Sequence, residues 1–312
     1  MSRQVITIFG GSGFVGRHLV RRLAPTGWIC RVAVRDPDSA LFLKVLGDPG
    51  QIIPMAADVT DQKSVERAVA DVQRVVNLVG ILYEKGRRSF QRVHVEGAAN
   101  VAKAASAAGV ERLVQMSAIG ADPESPAGYG RTKAAGEEAA KAAFAGTSVV
   151  RPSVVFGPED DFFNRFAAMA RLMPVLPVFP TRFQPVFVDD VAAAIATILD
   201  DPQTKGKTYE LGGPRVITFE EFLELVMRFT GRKRMLLPLP LSIASLQATF
   251  LQLLPSPPLT RDQVRLLGRD NVVAEGALTL ADLGITPTAM EGILPTYLSR
   301  FKPPVKQRKR IS

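Results

Sequence analysis

Cysteine is nearly missing from this 312-residue chain, where Cys30 stands alone. A lone thiol excludes a disulfide framework and any cysteine-based metal site, and it fits a reducing compartment. Histidine is almost as scarce, with only His18 and His94, so no metal centre is expected. The first strand leaves no room ahead of it for a signal or transit peptide, which predicts a place on the cytosolic side. Acids are in deficit, with 30 Asp and Glu against 39 Lys and Arg, a net charge of +9. That excess points to an anionic partner, whether cofactor phosphate, acidic membrane surface or acidic protein face, although scattered surface Arg and Lys accounts for part of it. No aromatic–basic interleaving or helix-turn-helix pattern is present, so nucleic acid is not expected. Hydrophobic residues at 46% and charged residues at 22% are ordinary for a globular protein. The length suffices for one large α/β domain and a smaller lobe.

The most informative stretch is Val5-Ile-Thr-Ile-Phe9 followed by Gly10, Gly11, Ser12, Gly13, Phe14, Val15 and Gly16. An apolar β-rich run enters a glycine turn, and Arg17 to Leu23 resumes with helical spacing. Strand, glycine turn and helix in that order are what a dinucleotide-binding βα unit needs. The glycines permit the tight turn, close approach of a pyrophosphate and close helix–strand packing, while the helix N-terminus offers free N–H groups to the anion.

Strands are predicted at Ile29–Val34, Ile52–Ala56, Arg74–Gly80, Arg112–Ser117, Ser148–Phe156 and Thr208–Leu211, alternating with helical segments. One of these is a long helix from Phe90 to Ala108. The pattern predicts a Rossmann-type doubly wound parallel sheet with a smaller, mostly helical C-terminal lobe. Arg35 at the end of the second strand favours NADP(H), because arginine can pair with a 2′-phosphate; Asp36 beside it keeps NAD(H) open. Asp58 and Val59 lie in the loop expected beside the adenine, and Val79-Gly80 ends the fourth strand. Asp61 or Thr60 is a predicted helix cap, as are Asp189 and Asp190, and Thr218-Phe-Glu-Glu221 matches a capping box. Tyr129 and Lys133, four apart, share one face of a helix after Ser117. An ammonium beside a phenol is expected to lower the phenol's pKa and make it a proton donor or acceptor.

From Met235 to Thr260 no charged residue occurs. The proline-free part, 241–254, is too short to span a bilayer, which needs about twenty apolar residues. It is either a helix buried in the C-terminal lobe or a surface helix lying on a membrane or apolar partner. The expected division is 1–230 for the nucleotide-binding domain, with parts of 151–185 contributing to the second lobe, 231–300 for that lobe, and 301–312 for a basic tail.

Together the glycine turn, Arg35-Asp-Pro37, Tyr129-Gly-Arg-Thr-Lys133, Arg151-Pro152 through Gly157-Pro158 and Phe187-Val-Asp-Asp-Val191 resemble an extended-type short-chain dehydrogenase/reductase over about residues 4–230. Asn77-Leu-Val-Gly80, His94-Val-Glu-Gly97, Gln115-Met-Ser-Ala-Ile-Gly120 and Gly157 to Phe166 are similar to an atypical subgroup. It contains the nucleotide-binding alpha subcomplex subunit nine of respiratory complex I. The resemblance implies a cofactor site built from Gly10 to Gly16, Arg35, Asp58, Val59, Val79, Gly80, Lys133, Pro152 and Val155, and a catalytic set of Tyr129, Lys133 and Ser117. It also implies a tightly held NADP(H), a place where the peripheral arm meets the membrane, and peripheral-arm and membrane-arm subunits as partners. That place is peripheral, on the cytoplasmic side of a bacterial inner membrane or the matrix side of a mitochondrial one. Active superfamily members usually carry asparagine at the place of His94 and a further hydroxyl residue where Ile119 follows Ser117. The loop from Ala118 to Gly128 is also short.

These features support an accessory subunit that holds its cofactor, with an oxidoreductase or epimerase acting on a lipophilic or quinone-related substrate as the alternative. A redox-sensing regulator has only the fold behind it.

Overall fold

The structure, a computed structural model, describes residues 4–252, 254 and 257–304. Apolar β-formers make six short strands in the first half: β1 (Val5–Phe9), β2 (Ile29–Val34), β3 (Ile52–Ala56), β4 (Arg74–Asn77), β5 (Arg112–Met116) and β6 (Ser148–Pro152). Four helices cross between them: α1 (Phe14–Leu23), α2 (Gln62–Val69), α3 (Gly97–Ala107) and α4 (Gly128–Ala143). Further along come β7 (Val155–Phe156), α5 (Phe162–Leu172), β8 (Val175–Val178), β9 (Arg182–Phe183), β10 (Val186–Phe187), α6 (Val188–Asp200) and β11 (Thr208–Leu211). The chain then forms β12 (Ile217–Thr218), α7 (Phe219–Thr230), β13 (Met235–Pro238), α8 (Leu241–Leu251), α9 (Arg261–Leu266) and α10 (Met290–Leu298).

The main sheet has the order β11-β6-β5-β4-β1-β2-β3, with parallel pairing throughout. The order reverses between β1 and β4, so the crevice at their carboxyl ends is where a ligand belongs. Helices cover both faces, which is why the strands read as continuous apolar runs. On one face Leu19, Val20, Ile195 and Ile198 pack against Ile6, Ile8 and Val32; on the other, Val65, Val101 and Ala105 join Val75 and Leu113. A third core, rich in phenylalanine, joins Phe156, Phe163 and Leu176 to Phe219, Phe222, Leu294 and Tyr297.

The fourth strand ends at Asn77 rather than Gly80 and the fifth at Met116 rather than Ser117, and three further local expectations change. The strand predicted over Ser148–Phe156 breaks at Ser153, because Asn271 accepts from Ser153 Oγ (2.7 Å) and Val154 N (3.1 Å). The helix predicted from Phe90 opens as a π-helical stretch, Gln91–Glu96, before α3. Such stretches cluster at functional sites. This one brings the His94 carbonyl so close to α4 that a Cβ on Gly136 would lie 2.1 Å from it, so only glycine fits. Asp189 and Asp190 sit in the first turn of α6 without capping it; Asp190 instead accepts from Thr288 N and Oγ1. Asp61 does cap α2, through Lys63 N.

The uncharged segment 241–254 forms α8, ending at Leu251. No helix among the described residues is long and apolar enough to cross a membrane. Most of the basic tail, residues 305–312, lies outside the described residues.

Candidate functional site

The glycine turn is built for close approach. Gly10 takes φ +76°, which favours glycine, and its N–H donates to Ala33 O at 2.9 Å. A Cβ on Gly16 would lie 2.5 Å from Gly10 O and Gly11 Cα, so only glycine lets α1 start this near β1. Gly13 caps α1 with no side-chain hydrogen bond, and no acid stands in its first turn. The leading N–H groups are therefore free for an anion. Behind the turn, Phe14 packs edge-on to His18, whose ring lies between Asp189 (2.6 Å) and Glu159 (3.2 Å). Arg21 also donates to Asp189 at 2.7 Å. These contacts pin α1 to α6. They were invisible in sequence, because the partners are more than a hundred residues apart.

Ser117, Tyr129, Lys133, His94 and Gly80 converge where β4 and β5 end. Lys133 Nζ donates to Met116 O at 3.0 Å, and a Cβ on Gly80 would lie 3.6 Å from that nitrogen and 3.8 Å from His94 Nε2. Ser117 Oγ is buried and has no hydrogen-bond partner. A buried hydroxyl left unpaired costs free energy, so this one suits a polar group of a bound molecule. His94 Nε2 accepts from Ile81 N (3.1 Å), which places the proton on Nδ1, facing Thr132 Oγ1 (3.1 Å). Burial and the nearby Lys133 push this imidazole down to about 3, so it is neutral at physiological pH. Its ring stacks on Phe90 (5.2 Å) and meets Tyr129 edge-on (5.4 Å). His94 thus fixes the Val79–Ile81 turn, a role that sequence did not reveal.

The electrostatics correct one expectation. Lys133 does not lower the Tyr129 phenol: burial pushes it up to about 12. Burial likewise brings Lys133 down to about 8, with Glu137 opposing the shift. The ammonium is committed to the Met116 carbonyl, and desolvation outweighs its attraction for a phenolate. The tyrosine is accordingly a neutral donor at pH 7.

At the opposite end of the crevice, Arg35 is exposed, and Asp36 turns into its own loop, accepting from Asp38 N. A basic hairpin after β4, bridged between Lys85 and Arg88, brings in Arg88, whose pKa is lowered by burial and by Arg35. Arg88 was not singled out from sequence, although the run Lys85-Gly-Arg-Arg88 was its signal. Asp58 Oδ1 is taken up by Thr60 N and Oγ1, and Val59 is buried against Gly97. Pro152 O accepts from Ile119 N just beyond β5, whereas Val155 pairs with Val186 in a separate two-stranded sheet. The fit to a dinucleotide rests on the glycine cradle, the free α1 N-terminus and the orphaned Ser117 hydroxyl. Such a cofactor supplies hydride chemistry when bound. The chain supplies anion-binding amides at Phe14–Gly16, a hydrogen-bonding ammonium at Lys133 and neutral hydroxyls at Ser117 and Tyr129.

Residues 6–212 match the NAD dependent epimerase/dehydratase family. Over 306 residues the chain is 35% identical to NADH dehydrogenase (ubiquinone) 1 alpha subcomplex subunit 9, mitochondrial, of Dictyostelium discoideum, covering 96% of this chain and 85% of that protein. It is 32% identical over 203 residues to the ceramide reductase of Caulobacter vibrioides, covering 64% of this chain and 62% of that one. Among solved structures, the NADPH-dependent quinone oxidoreductase QOR2 of Escherichia coli, complexed with NADPH, has the same fold, with a TM-score of 0.73 and 20% identity. That match covers 95% of this chain and 99% of the other. The chain belongs to the NAD dependent epimerase/dehydratase family and, within it, to the group of complex I alpha subcomplex subunit 9 proteins.

Proposed function

We propose that this chain is an NADP(H)-binding accessory subunit of respiratory complex I that holds its cofactor as part of the fold and turns it over poorly. The observation that carries the reading is the likeness to alpha subcomplex subunit 9 along 96% of the chain, not only along the nucleotide-binding part. The site agrees with it: the Tyr129 phenol is held near 12, and His94 is a locked, neutral spacer. Arg35 and Arg88 at the adenosine end favour a 2′-phosphate, hence NADP(H) over NAD(H).

The docking face belongs to the C-terminal lobe. α8 buries only its small residues, Ala244 and Ala248, while Ile243, Leu246 and Phe250 face solvent. From Leu225 to Thr260 the sequence has four basic residues and no acid. An apolar helix face within a stretch whose charged residues are all basic suits an anionic bilayer surface beside the complex. Such a subunit would sit peripherally, on the cytoplasmic side in a bacterium or the matrix side in a mitochondrion, between peripheral-arm and membrane-arm subunits. Mild native purification from membranes tests this. Complex I lacking the polypeptide would end the proposal.

The intact Ser117, Tyr129 and Lys133, together with the likeness to a ceramide reductase, favour a second reading. In it the chain is an oxidoreductase for a lipophilic or quinone-related substrate, with Tyr129 donating the proton. NADPH oxidation across a ketone and quinone panel that is unchanged by Tyr129→Phe would count against it.

A further inference from the structure

Helix α4 carries Tyr129 and Lys133 but begins without a cap of its own. Ala127 occupies the N-cap position, makes no side-chain hydrogen bond, and is followed by no acid in the first turn. Alanine is among the poorest residues for that position. The missing acceptor comes from the other lobe: Asp262 Oδ1 accepts from Gly128 N at 2.7 Å, and Oδ2 accepts from Tyr129 N at 2.9 Å. The two partners stand 134 and 133 residues away in sequence.

Asp262 is itself held in place. It lies in the first turn of α9, where Thr260 and Gln263 form a capping box, with Arg265 within 3.9 Å. Its carboxylate therefore serves two helix N-termini at once, and both favour an anion. The same turn of α4 continues to the nicotinamide end of the crevice: Thr132 Oγ1 donates to Gly128 O at 2.7 Å and faces His94. α9 in turn packs on α8, whose apolar face looks outward.

We propose that Asp262 is a positioning residue through which the C-terminal lobe orders the first turn of α4, and with it Tyr129 and Lys133, for the nicotinamide half of the bound dinucleotide. This rests on the nucleotide-binding reading above. The adenosine half lies against the glycine turn, Arg35 and Arg88, none of which touches Asp262, so the two halves respond differently when the cap is removed.

The test compares the affinities of the full-length chain for NADPH and for 2′,5′-ADP, which has no nicotinamide. Asp262→Ala is expected to bind NADPH about tenfold more weakly, while 2′,5′-ADP stays within about twofold. Asp262→Asn, which keeps one acceptor, should fall between Asp262→Ala and the parent, and it carries the same comparison if the alanine variant does not fold. Arg269→Ala removes the Arg269–Asp122 ion pair (2.8 Å), another link from the 269–271 segment to the loop before α4, and should leave both affinities unchanged. Unchanged NADPH affinity in Asp262→Ala, or equal losses for both ligands, would overturn the proposal. A parent chain that binds neither ligand would instead bring down the nucleotide-binding reading, and this proposal with it.

Discussion

Helices α7 and α8 pack into the same phenylalanine-rich core and are built on opposite plans. α7 opens with a capping box between Thr218 and Glu221, ends on Gly231 at φ +64°, and turns Phe219, Phe222, Leu223 and Val226 inward while Glu220 and Glu224 face water. α8 has no side-chain cap and no charge, buries two alanines, and leaves Leu246 and Phe250 at 64% and 67% exposure. Leu172, Met173, Met235 and Leu237 are exposed as well. α7 is completed by its own chain. α8 leaves its large side chains exposed on one helix, the kind of patch that interaction surfaces carry.

Substitutions should separate the two plans. The largest effect is expected from Leu246→Asp combined with Phe250→Asp. Removing two side chains worth ~1.5–3 kcal/mol each from an apolar interface should release the protein from membranes, read by co-fractionation with complex I. Thermal unfolding of that variant should stay close to the parent's. In α7 the response should be reversed: Phe222→Ala, deep in the phenylalanine core, should cost ~3–5 kcal/mol in denaturant unfolding. Membrane partitioning of the fraction that stays folded should hold.

Acid should report on the other lobe. His94 is held near 3 in the folded chain, below its ordinary 6.5, so between those values the unfolded chain binds a proton that the folded chain does not. Its contribution is therefore complete above pH 6.5 and is lost as the pH falls towards 3. Thermal midpoints measured down that range should drop, and His94→Gln should flatten the slope. The smallest effect is expected from Thr218→Ala, which removes the α7 cap and should cost ~1 kcal/mol in chemical unfolding.

What was legible in the sequence was whatever local rules decide. The strand–glycine–helix unit at Val5–Leu23, the cap at Asp61 and the box at Thr218–Glu221 all follow from neighbours within a few residues. Tyr129 and Lys133 were found for the same reason, since four residues bring them to one helix face. What was hidden depends on distant partners. No spacing rule tells that Asp189 would turn from capping α6 to hold His18 and Arg21, or that Asp262 would cap a helix in the other lobe. The phenol's pKa was misjudged because charge proximity was visible in the Tyr-x-x-x-Lys spacing, whereas burial and the Met116 carbonyl were not. α8 stayed undecided between core and surface because composition gives apolarity without direction. The backbone resolved it by turning the alanines inward.

The most direct test of the account is native electrophoresis of mildly solubilised membranes, with complex I located by its NADH:ubiquinone activity and the nucleotide released from that band analysed. The account predicts this polypeptide in the complex I band together with stoichiometric NADP(H), and its loss from the band in the Leu246→Asp, Phe250→Asp variant. A polypeptide that migrates apart from complex I, or that sits in the band without nicotinamide nucleotide, would contradict it.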